Sequence, residues 1–530
     1  MSTISRPRRS IWFFCWQHEE PTEEQRRAYA RDLSQRLGVA IELPPIPRVQ
    51  DLQLRPPRIQ VPDALAPFCT TDPGERALHT KGDRLEEFRG VFRSPPDVVA
   101  HPRTEEELER LLEWCDRHRY AVIPYGGGSS SVNGVTPPED ADAAVTVDMD
   151  HFDRVLEVDA TSRAARIQAG VYGPHLEDQL RPHGLTLRHF PQSFTGSTLG
   201  GWIATRSGGH YATKDTHIDD FVEAVRMLTP VGWWQVRRVP ASGAGPDPNR
   251  LAIGSEGILG VITEAWMRLQ ARPRFRATAG VTFPSWEAGY EAVRRIVQTK
   301  LWPANLRLLD PILAEDAAGL DGTRSLLALS FESAELPQEW PLRQALEVAR
   351  SCGGAWGDDD VLISDSGEPT GRRGAVGAWR DAFIQRANNL AAGLGLVTGT
   401  VETSITWERW PAFDAEVRAA LQRALDEVCG GGSVNCRFTH VYPDGPAPYY
   451  TFAGLYRPGL TGRDVLAVRT AGLDAILRMG GTVTHHHAVG RLHRPWYDRE
   501  RPEPFAAALR AAKRAVDPNA IMNPGVLIDP

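Results

Sequence analysis

No stretch of this 530-residue chain is apolar for long enough to span a bilayer, which takes roughly 20 consecutive apolar residues, so an integral membrane protein is not expected. Cysteine is scarce and scattered: Cys15, Cys69, Cys115, Cys352, Cys429 and Cys436 form no CxxC pair, which suits free thiols in a reducing compartment rather than a disulfide framework. Neither charge sign dominates, with 67 acidic against 60 basic residues and a formal charge of -7, so a nucleic-acid footprint spread over the surface is not expected. Arg6, Arg8 and Arg9 precede the apolar run IWFFCW, but six residues make too short a core for a signal peptide. The carboxyl end, Ile528-Asp529-Pro530, is not a peroxisomal tripeptide, and the cytoplasm is the expected location.

What is present is an ordinary globular composition, 42% hydrophobic and 24% charged, in a chain too long for one core. The first ninety residues hold one helical pattern, PTEEQRRAYARDLSQRLG, and a proline-rich stretch from Pro44 to Pro67, an extension that packs against something larger. Thr104 and Glu107 make a capping box, and Leu108, Leu111, Leu112 and Cys115 at helical spacing predict a helix. The short strand AVIP follows and runs directly into the loop YGGGSSSVNG.

Three consecutive glycines followed by Ser129, Ser130 and Ser131 let successive N–H groups form a concave anion nest with hydroxyls as extra donors, and a pyrophosphate is the obvious guest. No lysine follows as in a Walker loop, and the pattern is not GxGxxG. A flexible surface turn explains the loop alone about as well. Two further segments decide between them. FPQSFTGSTLGGWIATRSGGH is dense in small polar residues, and GSEGILGVITEAWMRL places Gly254, Gly257 and Gly260 before an alternating strand. Glycine-rich loops recurring between strands imply one extended cofactor wrapped by several of them.

The richest titratable chemistry is the triplet His485, His486, His487 in GGTVTHHHAVGR. Imidazoles titrate near pH 6.5 and hold or move protons at neutral pH. The flanking Thr482, Val483 and Thr484 predict a strand on which His485 and His487 share one face and His486 points the other way. No metal is expected, because no nearby cysteine, HExxH or HxH-plus-carboxylate spacing completes a ligand set.

In the order DVVAHPRT, VIPYGGGSS, TLGGWIATR, GSEGILGVITEA, PANLRLLD, NCRFTHVY, THHHAVGR and DPNAIMNPGVL, these segments resemble the flavoproteins built on the vanillyl-alcohol oxidase and p-cresol methylhydroxylase FAD-binding fold. Within that group the chain is similar to the alkyldihydroxyacetonephosphate (alkylglycerone-phosphate) synthases, collinear from about Phe68 to Val526. The resemblance implies an α+β fold: a PCMH-type FAD-binding domain of two subdomains, and an α+β substrate, or cap, domain with an antiparallel sheet. It places the N-terminal extension at 1-90, the flavin domain at 91-272, the cap at 273-495, and a segment returning to the flavin domain at 496-530. It implies ether lipid synthesis, in which the acyl group of an acyl-dihydroxyacetone phosphate is replaced by a fatty alcohol through a flavin N5 adduct. The alternative on the same fold is a FAD-dependent dehydrogenase or oxidase of a 2-hydroxy acid, of the lactate or glycolate type, or of another small alcohol.

Matched to the family, Pro124, Tyr125, Gly126, Gly127, Gly128, Ser129 and Ser130 belong to the pyrophosphate loop, Gln192, Ser193, Thr198, Gly200, Gly201 and Thr205 to a second flavin-contacting segment, and Glu256, Gly257, Gly260, Val261 and Ile262 to a third. The resemblance makes His485, His486, His487, Tyr449 and Arg386 catalytic, with Arg307, Arg386 and Tyr449 touching substrate. FAD is expected to be held non-covalently, because no histidine follows the glycines where some members tether it.

Three departures fall in the site: Gln192 replaces an aspartate, Ala447 a cysteine, and Asp215-Thr216 a Tyr-Gly pair. Losing an acid beside a flavin changes substrate charge preference, which leaves the substrate open. The expected partner is a small-molecule or lipid substrate, not nucleic acid. Long-chain substrates and the IWFFCW run suggest peripheral membrane contact, though a buried N-terminal strand explains the run equally well; a homodimer rests on the resemblance alone.

Overall fold

The computed structural model describes residues 8–529 apart from 211, 212, 214, 366–389 and 458. Its first sheet joins β1 (Cys69–Thr70), β2 (Val98–Ala100), β3 (Ala121–Tyr125) and β4 (Ala144–Asp148) in the order β1-β2-β4-β3. β2, β3 and β4 run parallel, which is why they read as unbroken apolar runs covered on both faces. The crossover from β2 to β3 is the helix Glu105–His118, which buries Leu108, Leu111, Leu112 and Cys115. Thr104 accepts the Glu107 N–H at 3.2 Å, but the Glu107 carboxylate takes the N–H of Arg103 instead of Thr104, so half of the expected capping box forms. The glycine-rich loop leaves the carboxyl end of β3, where ligands sit on parallel sheets.

A second, antiparallel sheet follows: β5 (Val155–Asp159), β6 (Ala164–Gln168), β8 (Val222–Thr229), β9 (Gly232–Gln235) and β10 (Val261–Arg268), ordered β5-β6-β10-β8-β9. β7 (Leu185–Thr186) pairs with β11 (Gln270–Ala271) beside it. The helix Leu199–Thr205 carries the TLGGWIATR segment, and Leu199, Trp202 and Ile203 bury its inner side.

The third sheet has β12 (Phe275–Phe283), β13 (Asn305–Leu309), β14 (Ser325–Ser333), β15 (Val361–Ser364), β16 (Thr398–Glu402), β17 (Gly432–Tyr442) and β18 (Gly445–Gly454), ordered β15-β12-β14-β13-β17-β18-β16, with antiparallel pairing throughout. The helices Trp286–Gln298, Glu339–Ser351, Trp410–Cys429 and Gly462–Arg478 cover one face of it. Their core takes Trp410, Phe413, Phe438, Tyr450 and Phe452, and burying each such side chain contributes about 1.5–3 kcal/mol. The opposite face of β16, β17 and β18 is left for the site.

Both chain ends return to the flavin side. Val122 of β3 donates to the Ile521 carbonyl at 2.8 Å and accepts from the Asn523 N–H at 2.9 Å, so the last residues extend the first sheet. The IWFFCW run forms a turn closed by an Arg9–Trp16 bridge, not a strand, and buries Trp12 and Phe13 against Phe88. Among the described residues no helix is long and apolar enough to cross a membrane. All six cysteines are free.

Candidate active site

One cleft gathers residues from all three glycine-rich segments. Pro124, Tyr125, Gly126 and Ser130 line it from the first, Thr198, Gly200, Gly201 and Thr205 from the second, and Glu256, Gly257, Gly260, Val261 and Ile262 from the third. Its empty volume, open solvent included, is about 700 Å³. The lining fits a flavin nucleotide. The Thr198 hydroxyl is buried without a partner, and a Cβ on Gly201 would meet only that hydroxyl, at 3.4 Å, so both positions leave room for a flat ligand against the main chain.

Gly127, Gly128, Ser129, Gln192 and Ser193 were expected to contact the cofactor as well, and they do not line this cleft. Gly127 and Gly128 shape the loop instead. A Cβ on Gly127 would lie 1.9 Å from the Gly196 carbonyl oxygen, and Gly128 has φ +66° with the Tyr125 hydroxyl at 2.0 Å from its Cβ position, so packing forbids any side chain at either. Ser193 bonds Ser197, Ser129 is exposed, and Gln192 faces the cap.

Three adjacent strands of the cap line up a polar row. Glu402 of β16 lies opposite Tyr449 of β18, and Tyr449 opposite Arg437 of β17, so the three side chains share the face away from the helices. Their sequence neighbours Val401, Tyr450 and Cys436 point into the core. Tyr450 is the ordinary buried tyrosine, donating to Asp414 at 2.9 Å, while Tyr449 stacks under the Arg437 guanidinium at 4.1 Å. A β-bulge between Phe438 and His440 resets the alternation of β17: Val441 returns to the core, and His440 and Tyr442 join the face of Arg437. Arg307 of β13, flanked by the core residues Leu306 and Leu308, sits on this face too and is close enough to His440 to disfavour its charge. Arg386 lies outside the described residues.

The histidine triplet is not a strand. Residues 484–487 bend around the Glu402 carboxylate, which accepts the N–H groups of His485 (2.8 Å), His486 (3.1 Å) and His487 (3.0 Å) and the hydroxyl of Thr484. Convergent N–H groups replace sheet pairing, so the expected alternation of faces fails: His485 and His486 touch each other through Nδ1 at 3.0 Å. Four residues on, Glu256 from the cofactor cleft accepts the N–H groups of Val489 at 2.9 Å and Gly490 at 2.7 Å. One loop is thus clamped by a carboxylate from the cap and another from the flavin domain.

The two clamps titrate oppositely. Burial opposes the charge on Glu402, but the imidazoles of His486 and His487 outweigh it and hold the carboxyl well below its usual range. Burial pushes Glu256 up to about 7 despite its two N–H donors. Burial, then neighbouring groups, keeps His485 well below its usual value and lowers His487 to about 3. At neutral pH the His485 and His487 rings are therefore uncharged. Tyr449 stacks near His486, with ring centroids 6.0 Å apart, and edge-on to His487 at 5.3 Å. His440, His485 and His486 also offer nitrogens within 4.8 Å of one another; hydrogen bonds engage His485, His486 and His440 Nε2, while His440 Nδ1 is buried without a partner.

Comparison with known proteins places this geometry. Residues 96–236 match the FAD binding domain family, and residues 272–527 match the FAD linked oxidases, C-terminal domain family. An alkyldihydroxyacetonephosphate synthase of Caenorhabditis elegans is 30% identical over 477 residues, 85% of this chain and 79% of that one. The chain belongs to the alkyldihydroxyacetonephosphate synthase family. It is a FAD-dependent enzyme. A solved alkyldihydroxyacetonephosphate synthase superposes with a TM-score of 0.75 at 24% identity, covering 94% of this chain and 92% of that one. p-Cresol methylhydroxylase superposes at 0.67 with 15% identity over 96% and 98%, so the expected two-part architecture is the fold of this group.

Against the family pattern, the departures now have neighbours. Gln192 accepts from Arg437 Nη2 at 3.3 Å, so an amide stands where a carboxylate would neutralise that guanidinium. Ala447 pairs across the bulge with His440, and Asp215-Thr216 leads into His217, whose Nε2 lies 3.2 Å from His485 Nε2. Glu402, Arg437, His440, Tyr442 and His217 were not singled out from the sequence. Only NCRFTHVY, with arginine, histidine and tyrosine inside an apolar run, carried a usable signal.

Proposed function

We propose that the protein replaces the acyl group of an acyl-dihydroxyacetone phosphate with a fatty alcohol. The supporting observation is the single loop, gripped by Glu402 and Glu256, that sets three histidines between the cofactor cleft and the Tyr449–Arg437 pair. Gly126, Ser130, Thr198, Gly200, Gly201 and Thr205 would hold FAD non-covalently. Bound FAD supplies the covalent and electron-accepting chemistry at the substrate carbon.

The chain's own residues do the rest. A neutral imidazole of the triplet takes the proton next to the substrate ketone, and the Glu402 carboxylate stabilises the resulting positive charge through His486 Nδ1 at 3.1 Å. The Tyr449 hydroxyl bonds the substrate oxygen, and Arg437 and Arg307 form a cationic wall for a phosphate. Gln192 presents a neutral amide, not a carboxylate, to Arg437 beside the expected head-group position.

The test is incorporation of labelled hexadecanol into product by FAD-loaded protein given acyl-dihydroxyacetone phosphate, without net flavin reduction. Bleaching of the flavin by lactate or glycolate, with acceptor-dependent turnover and no label incorporated, would favour the 2-hydroxy acid oxidoreductase instead. Tyr449→Phe and His486→Ala are expected to lower kcat by about 10²-fold or more while retaining flavin. The same reading carries a homodimer, read by sedimentation, and peripheral contact with lipid surfaces that hold the substrates, read by vesicle flotation.

A further inference from the structure

Behind the triplet, away from Tyr449, a continuous line of hydrogen bonds leaves the site. His486 Nδ1 lies 3.1 Å from Glu402 and 3.0 Å from His485 Nδ1. His485 Nε2 lies 2.6 Å from the Tyr442 hydroxyl, and that hydroxyl lies 3.2 Å from His217 Nε2. His217 Nδ1 is 2.9 Å from the Arg206 carbonyl oxygen. That last contact decides the direction of the rest. A carbonyl can only accept, so His217 carries its proton on Nδ1 and presents a lone pair at Nε2. Tyr442 donates to that lone pair and accepts from His485 Nε2–H, which leaves His485 Nδ1 bare to accept from His486 Nδ1–H, the proton that Glu402 also attracts. Each lone pair along the line meets one proton.

We propose that Tyr442 and His217 form the proton exit of the active site, carrying the proton taken from substrate by the histidine triplet to the protein edge. The proposal rests on the triplet being the base. In one concerted shift the His486 Nδ1 proton moves to His485 Nδ1, the His485 Nε2 proton moves to the Tyr442 oxygen, and the Tyr442 hydroxyl proton moves to His217 Nε2. No covalent bond between heavy atoms changes, the positive charge passes from His486 to His217, and His217 then loses its Nδ1 proton to water at the exposed contact with the Arg206 carbonyl. The inner end is shielded, among buried His440, Glu402 and Arg307. The outer end is less shielded: His217 is half-buried beside Arg206, whose side chain is 57% exposed, and Asp220 is exposed; burial lowers the His217 pKa, and the Arg206 carbonyl and Asp219 only partly oppose it. His217 directly follows Asp215-Thr216, the pair that departs from the family pattern.

His217 and Tyr442 act through His485, so they are positioning and relay residues. The decisive variant is His217→Ala in the FAD-loaded enzyme, because it removes both the path through Tyr442 and the direct 3.2 Å contact between the two Nε2 atoms. Expected are a kcat lowered by about tenfold or more, a KM within about twofold, an unchanged flavin spectrum, a larger solvent deuterium isotope effect, and restoration of kcat by added imidazole. Tyr442→Phe keeps the direct contact and is expected to lose less, without rescue by imidazole. Full kcat in His217→Ala, or a loss that imidazole does not repair, overturns the relay. If the wild-type enzyme turns over no candidate substrate, the functional reading fails separately, and 15N NMR of histidine-labelled protein still reads the line: His217→Ala must move the His485 Nε2 resonance, and an unmoved resonance overturns the link.

Discussion

Glu402 accepts the main-chain N–H of His485 at 2.8 Å, and with it those of the next two residues, so one buried carboxylate determines the shape of the whole histidine triplet. Glu402→Ala leaves these donors buried without an acceptor. Breaking such a charged anchor is expected to cost about 3–5 kcal/mol, measured by denaturant unfolding, and to abolish turnover even where the flavin stays bound. The pH sign follows. Its folded pKa lies below the unfolded one, so the stabilisation is full above about pH 4.3 and is lost as pH falls below it, and Glu402→Gln should lose less stability on acidification than the wild type.

Glu256 should behave the opposite way. Its carboxyl is raised to about 7, so the fold binds an extra proton between about pH 4.3 and 7; its contribution is full below that window and is lost as pH rises through it. Unfolding of the apoprotein across this range should show a slope that Glu256→Gln flattens. An unchanged slope in the variant would place the linkage elsewhere.

Gly127→Ala should separate the fold from cofactor binding. The new methyl would meet the Gly196 carbonyl oxygen at 1.9 Å, so the glycine loop must shift away from the segment carrying Thr198. FAD affinity is expected to weaken by at least about tenfold, some 1.4 kcal/mol, by flavin fluorescence titration, with the far-ultraviolet circular dichroism unchanged.

Gln192→Asp tests the charge of the cap. A carboxylate 3.3 Å from Arg437 would form an ion pair and compete with an anionic substrate for the same guanidinium. KM for a phosphate-bearing substrate should rise several-fold, while kcat and the flavin spectrum change little. A KM that stays constant would remove Arg437 from head-group recognition.

The legible part of the site was the part built from local chemistry. Three glycine-rich segments were readable because each needs glycine where main chains approach closely, and their meeting around one cleft follows from the parallel strand, helix and antiparallel strand that carry them. Tyr449 was legible only through resemblance, since its neighbour Tyr450 is equally tyrosine and lies in the core. Arg437 and His440 were hidden by the bulge at Phe438–His440, which a period-two reading of the strand cannot see. The strand expected at His485 to His487 failed because β-branched flanks report only a local preference, and a buried carboxylate with three N–H partners outweighs it.

The sequence by itself therefore determined the flavin class, the order of the glycine-rich loops and the presence of a histidine triplet, all properties carried by short contiguous segments. Only the tertiary structure decided how those histidines are held and which groups they touch. Glu402, Glu256, Tyr442 and His217 come from four separate parts of the chain, and a hydrogen bond depends on separation in space, to which distance along the chain gives no guide.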